Sequence, residues 1–346
     1  MTGSALLRVA ALVAVLALPL AGGPARGDEP RVSLLAVGDT GDRPHFWQHD
    51  LQAAVGRAMA EEDRRSPVSA LVLLGDQFYP TGLLDFELVH RVRHNVVRPY
   101  CRFVEPGGPR WGEVSDACDP PGAARPTTPI YAVMGNHDRE SEDSPRLQRE
   151  AVPEFVPNWY VPRRPVELRE LPGGLSVILI ESNEVAAGDG LEHLRRALRA
   201  SKGPWRVMAA HHPLVWLEGG QSKRYDRVVR EIIAEEGTPV HVFLSGHQHN
   251  LQLLELSEPG PPLLLVAGGG SQAKPVTTDH PDLRYAAPKL GFARVDLVGT
   301  GDAAHLVASL YAVEARRFGA DSYARVASAT VDRQLRVRVD PPSGRR

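Results

Sequence analysis

Several absences narrow this chain before any motif does. Beyond the first 27 residues no apolar run approaches the roughly 20 residues that a membrane-spanning helix needs. Net charge is close to zero, at −2, so the chain carries no overall field that would draw it to nucleic acid or to anionic lipid. Two cysteines are too few for a disulfide-built scaffold, and neither has a second Cys or His at ligand spacing, which excludes a cysteine metal site. There is no internal repeat and no low-complexity tract. Lysine is scarce beside arginine, a bias of composition that carries no functional weight.

What remains is the composition of an ordinary folded protein: 42% apolar and 24% charged over 346 residues. That length fits one large α/β unit with insertions as well as two domains. Met1 to Gly27 has a basic residue, Arg8, then an apolar run from Val9 to Leu20 and small residues from Ala21 to Ala25, the pattern of a secretory signal peptide. An uncleaved anchor is the alternative. The expected organisation is a leader over 1–27, a catalytic domain over 28–315 and a peripheral C-terminal extension over 316–346 that is partly disordered. Export to a secreted or periplasmic location would let Cys101 and Cys118 persist as a disulfide, with two buried thiols as the alternative.

Short continuous apolar runs at 31–37, 69–74, 130–134, 175–180, 206–210 and 240–244 suit strands buried on both faces. Helix-like segments at 49–62, 84–97, 191–201 and 224–236 alternate with them, which predicts a layered α/β fold. Two Pro-rich stretches, 99–129 and 139–165, read as long loops or insertions. Runs at 263–267, 292–298 and 305–313 resemble closing strands.

Five of the first six runs end in a polar cluster. In chain order these are Gly38-Asp39-Thr40-Gly41, Gly75-Asp76-Gln77-Phe78-Tyr79, Gly135-Asn136-His137-Asp138, His211-His212-Pro213 and Gly246-His247-Gln248-His249. Singly, each reads equally well as turn chemistry or as a loop histidine. Jointly, they place oxygen and imidazole donors at the carboxyl ends of strands, where layered α/β folds gather functional groups. The donors overfill one tetrahedral site but suit two adjacent five- or six-coordinate ions sharing a carboxylate. Two ions about 3.5–4 Å apart clamp both oxygens of a phosphoryl displacement. Hydrolysis of a phosphate ester is therefore the expected reaction class.

The ordered blocks GDxG, GDxxY, GNHD, xxxH and GHxH resemble those of the calcineurin-like metallophosphoesterases, and Tyr79 in the second block resembles the purple acid phosphatases, particularly the small tartrate-resistant type. The similarity runs from about Val32 to Val298. It implies a four-layer α/β/β/α sandwich of two mixed β-sheets flanked by helices. Asp39, Tyr79 and His249 would hold an Fe(III), Asp76 would bridge, and Asn136, His211 and His247 would hold a divalent Fe, Zn or Mn. His137 would face the substrate as general acid while a metal-bound hydroxide attacks a small phosphate monoester at acid pH, and the protein would act as a monomer with no nucleic-acid partner.

Three features depart from the family pattern. Met208 stands where a Val is usual, a change of strand packing. His212 follows the ligand block where a tyrosine is found in the mammalian small enzymes, and it reads as a support for His211 or, alternatively, as a ligand in its place. No histidine lies within or near Pro213 to Gly220, where the family often places a second substrate-facing imidazole, so His137 would carry more of the proton transfer. A phosphodiesterase or nucleotidase of the same fold with a non-iron metal pair, and an exported metal-binding protein without turnover, are the competing readings.

Overall fold

Within each apolar run, alternate residues serve different layers. Leu34 and Ala36 face one core and Leu35 and Val37 another; in the same way Val177 and Leu179 part from Ile178 and Ile180. Such two-sided burial is why these strands read as unbroken apolar runs and lack polar alternation. The computed structural model describes residues 32–41, 50–118, 128–217, 223–257, 259–316 and 320–341. The stretch read as a signal peptide, 1–27, lies outside them.

The strands are β1 Val32–Val37, β2 Ala70–Leu74, β3 Ile130–Val133, β4 Trp159–Tyr160, β5 Val166–Leu171, β6 Leu175–Ile180, β7 Trp205–Ala210 and β8 Val242–Ser245. They continue as β9 Leu251–Glu255, β10 Leu263–Ala267, β11 Leu283–Ala287, β12 Leu290–Val298, β13 His305–Glu314, β14 Ser322–Val331 and β15 Val337–Val339. One sheet has the order β15-β14-β13-β12-β1-β2-β3-β4 and the other β11-β9-β10-β8-β7-β6-β5. Both are mixed: β1 to β4 run parallel beside an antiparallel β12, and β6, β7, β8 and β10 run parallel between antiparallel edges.

The two sheets pack face to face through Leu34, Val72, Leu74, Val177, Val207 and Leu244. The outer face of the first carries the helix Leu51–Arg65 on Leu35, Val37, Leu71 and Leu73. Asp50 caps that helix, its Oδ1 accepting from the amide of Ala53 at 2.8 Å. The outer face of the second sheet carries helices Leu191–Ala200 and Lys223–Glu236 on Ile178, Met208 and Phe243. Met208 packs in this outer core. The result is the expected α/β/β/α sandwich.

Three details differ from the expectation. The stretch 84–97 is not one helix but a 3-10 turn, a short α-turn and a π-turn over Val92–Val97. In this wider turn the Asn95 carbonyl accepts from Gln52 Nε2 at 2.9 Å, while Asn95 Nδ2 donates to Gln52 Oε1 at 2.8 Å. The described parts of the Pro-rich stretches are more than loops, since Tyr100, Phe103, Val104 and Val114 join Val152 and Phe155 in the outer core, where Cys101 is disulfide-bonded to Cys118 as expected. Finally, the C-terminal stretch is no peripheral extension, since β14 pairs with β13 along its whole length and buries Ala329 and Val331 against Leu306 and Ala308.

Among the described residues no helix is long and apolar enough to cross a membrane. Truncation after residue 315 should expose one edge and one face of β13, yielding a protein that aggregates or melts at least 10 °C lower, given that a few kcal/mol shifts a chain of this size by several degrees. A soluble truncated chain with an unchanged melting temperature would show that β14 and β15 are dispensable.

Candidate metal centre

The polar clusters follow β1, β2 and β3 in one sheet and β7 and β8 in the other, so their side chains meet at the seam between the sheets. All seven residues expected as ligands converge there. On one side Tyr79 Oη lies 2.9 Å from Asp39 Oδ1, 2.9 Å from Asp76 Oδ2 and 3.1 Å from His249 Nε2. On the other, His211 Nε2 lies 3.1 Å from Asn136 Oδ1, 3.0 Å from His247 Nδ1 and 3.4 Å from Asp76 Oδ2. Asp76 Oδ2 is therefore shared by both halves. Asp39, Asp76, His211 and His249 are buried, whereas Tyr79, Asn136 and His247 are half-buried and open to a cleft.

Local backbone is bent to achieve this. Asp39, Asp76 and His247 all have φ between 56° and 68°, a left-handed conformation that costs a non-glycine residue about 1–3 kcal/mol. The neighbouring glycines give the ligands room. A Cβ on Gly135 would sit 2.0 Å from Asp76 Oδ1, and one on Gly75 would sit 2.4 Å from His211 Nδ1.

The donor chemistry fits cations and little else. His211 Nδ1 lies 2.9 Å from the carbonyl of Leu74 and is the protonated nitrogen, so Nε2 presents only a lone pair. Nε2 faces the Asn136 and Asp76 oxygens at 3.1 and 3.4 Å, a convergence of donor atoms that a cation would satisfy. Likewise, the phenol of Tyr79 has a single hydrogen to offer two carboxylates. Burial, and next the charge of Asp76, push Asp39 well above the usual carboxylate range. Burial and both carboxylates push Tyr79 up in the same way. A cation would reverse these penalties. Burial holds His249 down to about 4, aided by the charge of Lys274, and it lowers His247 further with His211 and His212 contributing, so both imidazoles are neutral and able to ligate.

His137 stands apart from this set. Its Nδ1 lies 2.6 Å from the Pro80 carbonyl and 3.0 Å from Glu140, and its ring meets the Tyr79 ring edge-on with centroids 4.8 Å apart. The other nitrogen is left for the cleft, a space of about 210 Å³ lined also by Trp216, Gln248 and Lys274. His212 is held by Ser182, with Nδ1 2.8 Å from Oγ, and burial lowers it to about 3. With His211 and His247 it forms a further group whose ligand atoms lie within 4.8 Å of one another. Its ring lies 4.6 Å from that of His247, centroid to centroid.

Sequence reasoning passed over Asp138. Its carboxylate accepts from the amides of Asp76, Gly135, Gln77 and Phe78 at 2.7, 2.9, 3.1 and 3.2 Å, tying the second cluster to the third. The i, i+3 spacing from Gly135 at a tight turn was the available signal. Lys274 has no such signal, because only the folded chain brings its loop to the cleft.

Residues 32–251 match the family model described as calcineurin-like phosphoesterase. The chain is 24% identical over 299 residues to purple acid phosphatase 17 of Arabidopsis thaliana, covering 78% of each chain. It is 24% identical to mouse tartrate-resistant acid phosphatase type 5 over 249 residues, covering 65% of this chain and 69% of the relative. Among solved structures, PhoD superposes with a TM-score of 0.60 at 12% identity, over 93% of this chain and 74% of that one. The Plasmodium protein GAP50, an anchor in the inner membrane complex, superposes with a TM-score of 0.58 at 13% identity, over 86% and 89%.

Two outcomes follow from the geometry. Gly135→Ala should displace the Asp76 carboxylate and lower the metal content of purified protein, as measured by elemental analysis; full occupancy would contradict the tight contact. After chelation, Asp39 and Asp138 have folded pKa values above their unfolded ones, Asp138 at about 8 through burial and the charge of Asp76. Their stabilising contribution is complete below the unfolded value of about 4 and is lost as pH rises through the folded values. The melting temperature of chelated protein should therefore fall between pH 5 and 9 more steeply than that of metal-loaded protein. Equal slopes would show that no cation offsets these carboxylates.

Proposed function

The chain belongs to the calcineurin-like phosphoesterase family, and from that premise we propose an exported acid phosphatase that hydrolyses phosphate monoesters at an Fe(III)–divalent pair. The family implies a phosphoesterase with a dinuclear metal site. The observation that carries the finer reading is Tyr79, whose Oη lies 2.9 Å from both Asp39 and Asp76. A phenol set between two carboxylates makes one half of the centre rich in hard, anionic oxygen, the environment a trivalent ion favours. The other half, with Asn136, His211 and His247, is neutral apart from the shared Asp76 and suits a divalent ion.

Bound there, the two cations would supply the charge that holds a phosphoryl group and lowers the pKa of a water. The chain's own residues do the rest. Asn136 and His247 open onto the cleft where the ester enters. The leaving oxygen needs a proton, and His137 is the cleft imidazole with a free nitrogen, Nδ1 being fixed by Pro80 and Glu140. A volume of about 210 Å³, below the roughly 300–1,000 Å³ of pockets that enclose whole ligands, admits a phosphoryl group and leaves the rest of the ester outside. Export is supported by the leader-like N-terminus and by the Cys101–Cys118 bridge, which closes a loop worth about 3 kcal/mol in an oxidising compartment.

Purified protein should be violet through phenolate-to-iron charge transfer, and Tyr79→Phe should abolish the colour. A colourless, active zinc or manganese protein would replace this reading with a non-iron phosphoesterase. His137→Ala should retain its metals and lower kcat on an aryl phosphate between pH 4 and 7 by about 10²–10⁴, the usual range for a general acid. Loss of metal in that variant would make His137 a structural residue instead.

A further inference from the structure

Lys274 belongs to none of the five clusters, yet its side chain lines the cleft together with Asp76, His137 and His249. It is the one Lys or Arg in that wall among the described residues. Its position is set by backbone contacts to both sheets. The Gly270 amide donates to the Gly38 carbonyl at 3.1 Å, the buried Ser271 Oγ donates to the Asp39 carbonyl at 2.8 Å, and the Lys274 amide donates to the His249 carbonyl at 2.6 Å. The segment 270–274 is thus fastened to two of the residues around Tyr79.

No described acidic side chain lies within ion-pair distance of the ammonium, and its charge is near enough to lower the pKa of Asp39 and His249. A flexible four-carbon stem then carries a strongly hydrated point charge at the mouth of a small polar cleft. Such a group binds one more anionic oxygen wherever one is presented.

Phosphate esters differ in that respect. A monoester has three terminal oxygens and, above its second pKa near 6, two negative charges; a diester has two terminal oxygens and one charge. We infer that Lys274 reads this difference, taking the third terminal oxygen of the monoester, and its second charge where ionised, and so making the cleft favour monoesters over diesters. The assignment rests on the phosphatase reading above but deepens it, since nothing in the five clusters themselves distinguishes the two ester classes.

The test compares Lys274→Met, which keeps the stem and removes the charge, with Lys274→Arg, which keeps the charge. Metal-loaded proteins are assayed at pH 7 on 4-nitrophenyl phosphate and bis(4-nitrophenyl) phosphate, and elemental analysis confirms equal metal content. In Lys274→Met, kcat/KM on the monoester should fall by roughly 10- to 100-fold, the size of one lost charge-assisted contact, with less than about a threefold change on the diester. Lys274→Arg should recover most of the monoester rate. Equal losses on both esters, or no loss on either, would overturn the assignment.

A binding readout keeps it testable apart from turnover. Inorganic phosphate, monitored by its effect on thermal unfolding, should bind Lys274→Met about tenfold more weakly than wild type, while dimethyl phosphate binding stays unchanged. If wild type hydrolyses neither ester, the phosphatase reading fails, and the phosphate comparison still decides Lys274: unchanged phosphate affinity in the methionine variant refutes it.

Discussion

Acceptors aimed at one another, with too few protons between them, are the constraint around which this molecule is organised. At the seam of the sandwich the Nε2 lone pair of His211 faces the oxygens of Asn136 and Asp76, and one phenol stands between two carboxylates. Without compensating charge such a cluster is costly, since buried carboxylates are strongly disfavoured in their ionised form. The fold bears that cost twice, in the electrostatics and in the left-handed backbone of Asp39, Asp76 and His247. Strain concentrated at the same residues that crowd their charges is the mark of a site kept for function and not for stability.

The architecture makes this affordable by rigidity. Parallel strands buried on both faces end abruptly at the seam, and their carboxyl-terminal turns are bonded to one another by Asp138, by the Asp39 carboxylate accepting from the His247 amide at 2.7 Å, and by the Gly38 amide donating to the Ala267 carbonyl at 2.8 Å. Each half of the centre draws on both sheets, so the sandwich cannot slide without breaking it. The groups lining the cleft are held differently: Lys274 lies on a segment anchored through its backbone, and His137 is held at the rim through Nδ1 by the Pro80 carbonyl.

Much of this was legible in the sequence. The strands at 32–37, 70–74 and 175–180 read directly because two-sided burial leaves unbroken apolar runs, and the clusters stood out because each closes such a run. What escaped did so for physical reasons. β14 buries only Ala327, Ser328, Ala329 and Val331, a run with a polar member, so its alternation is weak and its Arg-rich surroundings look like a tail. The π-turn at Val92–Val97 answers to Gln52, a partner 43 residues away. Asp138 looked like a fourth polar residue in a turn, although its role is to receive amides from the neighbouring cluster. Lys274 reaches the cleft only through contacts between segments far apart in the chain.

The seven side chains thus matter together or not at all, and the positive charge between them is what the account requires above everything else. Anomalous diffraction from crystals of the purified protein tests this most directly. Two peaks are expected, about 3.5–4 Å apart, one bounded by Asp39, Tyr79 and His249, the other by Asn136, His211 and His247, with Asp76 touching both. An ordered seam with no peak, or cations bound elsewhere on the chain, would contradict it.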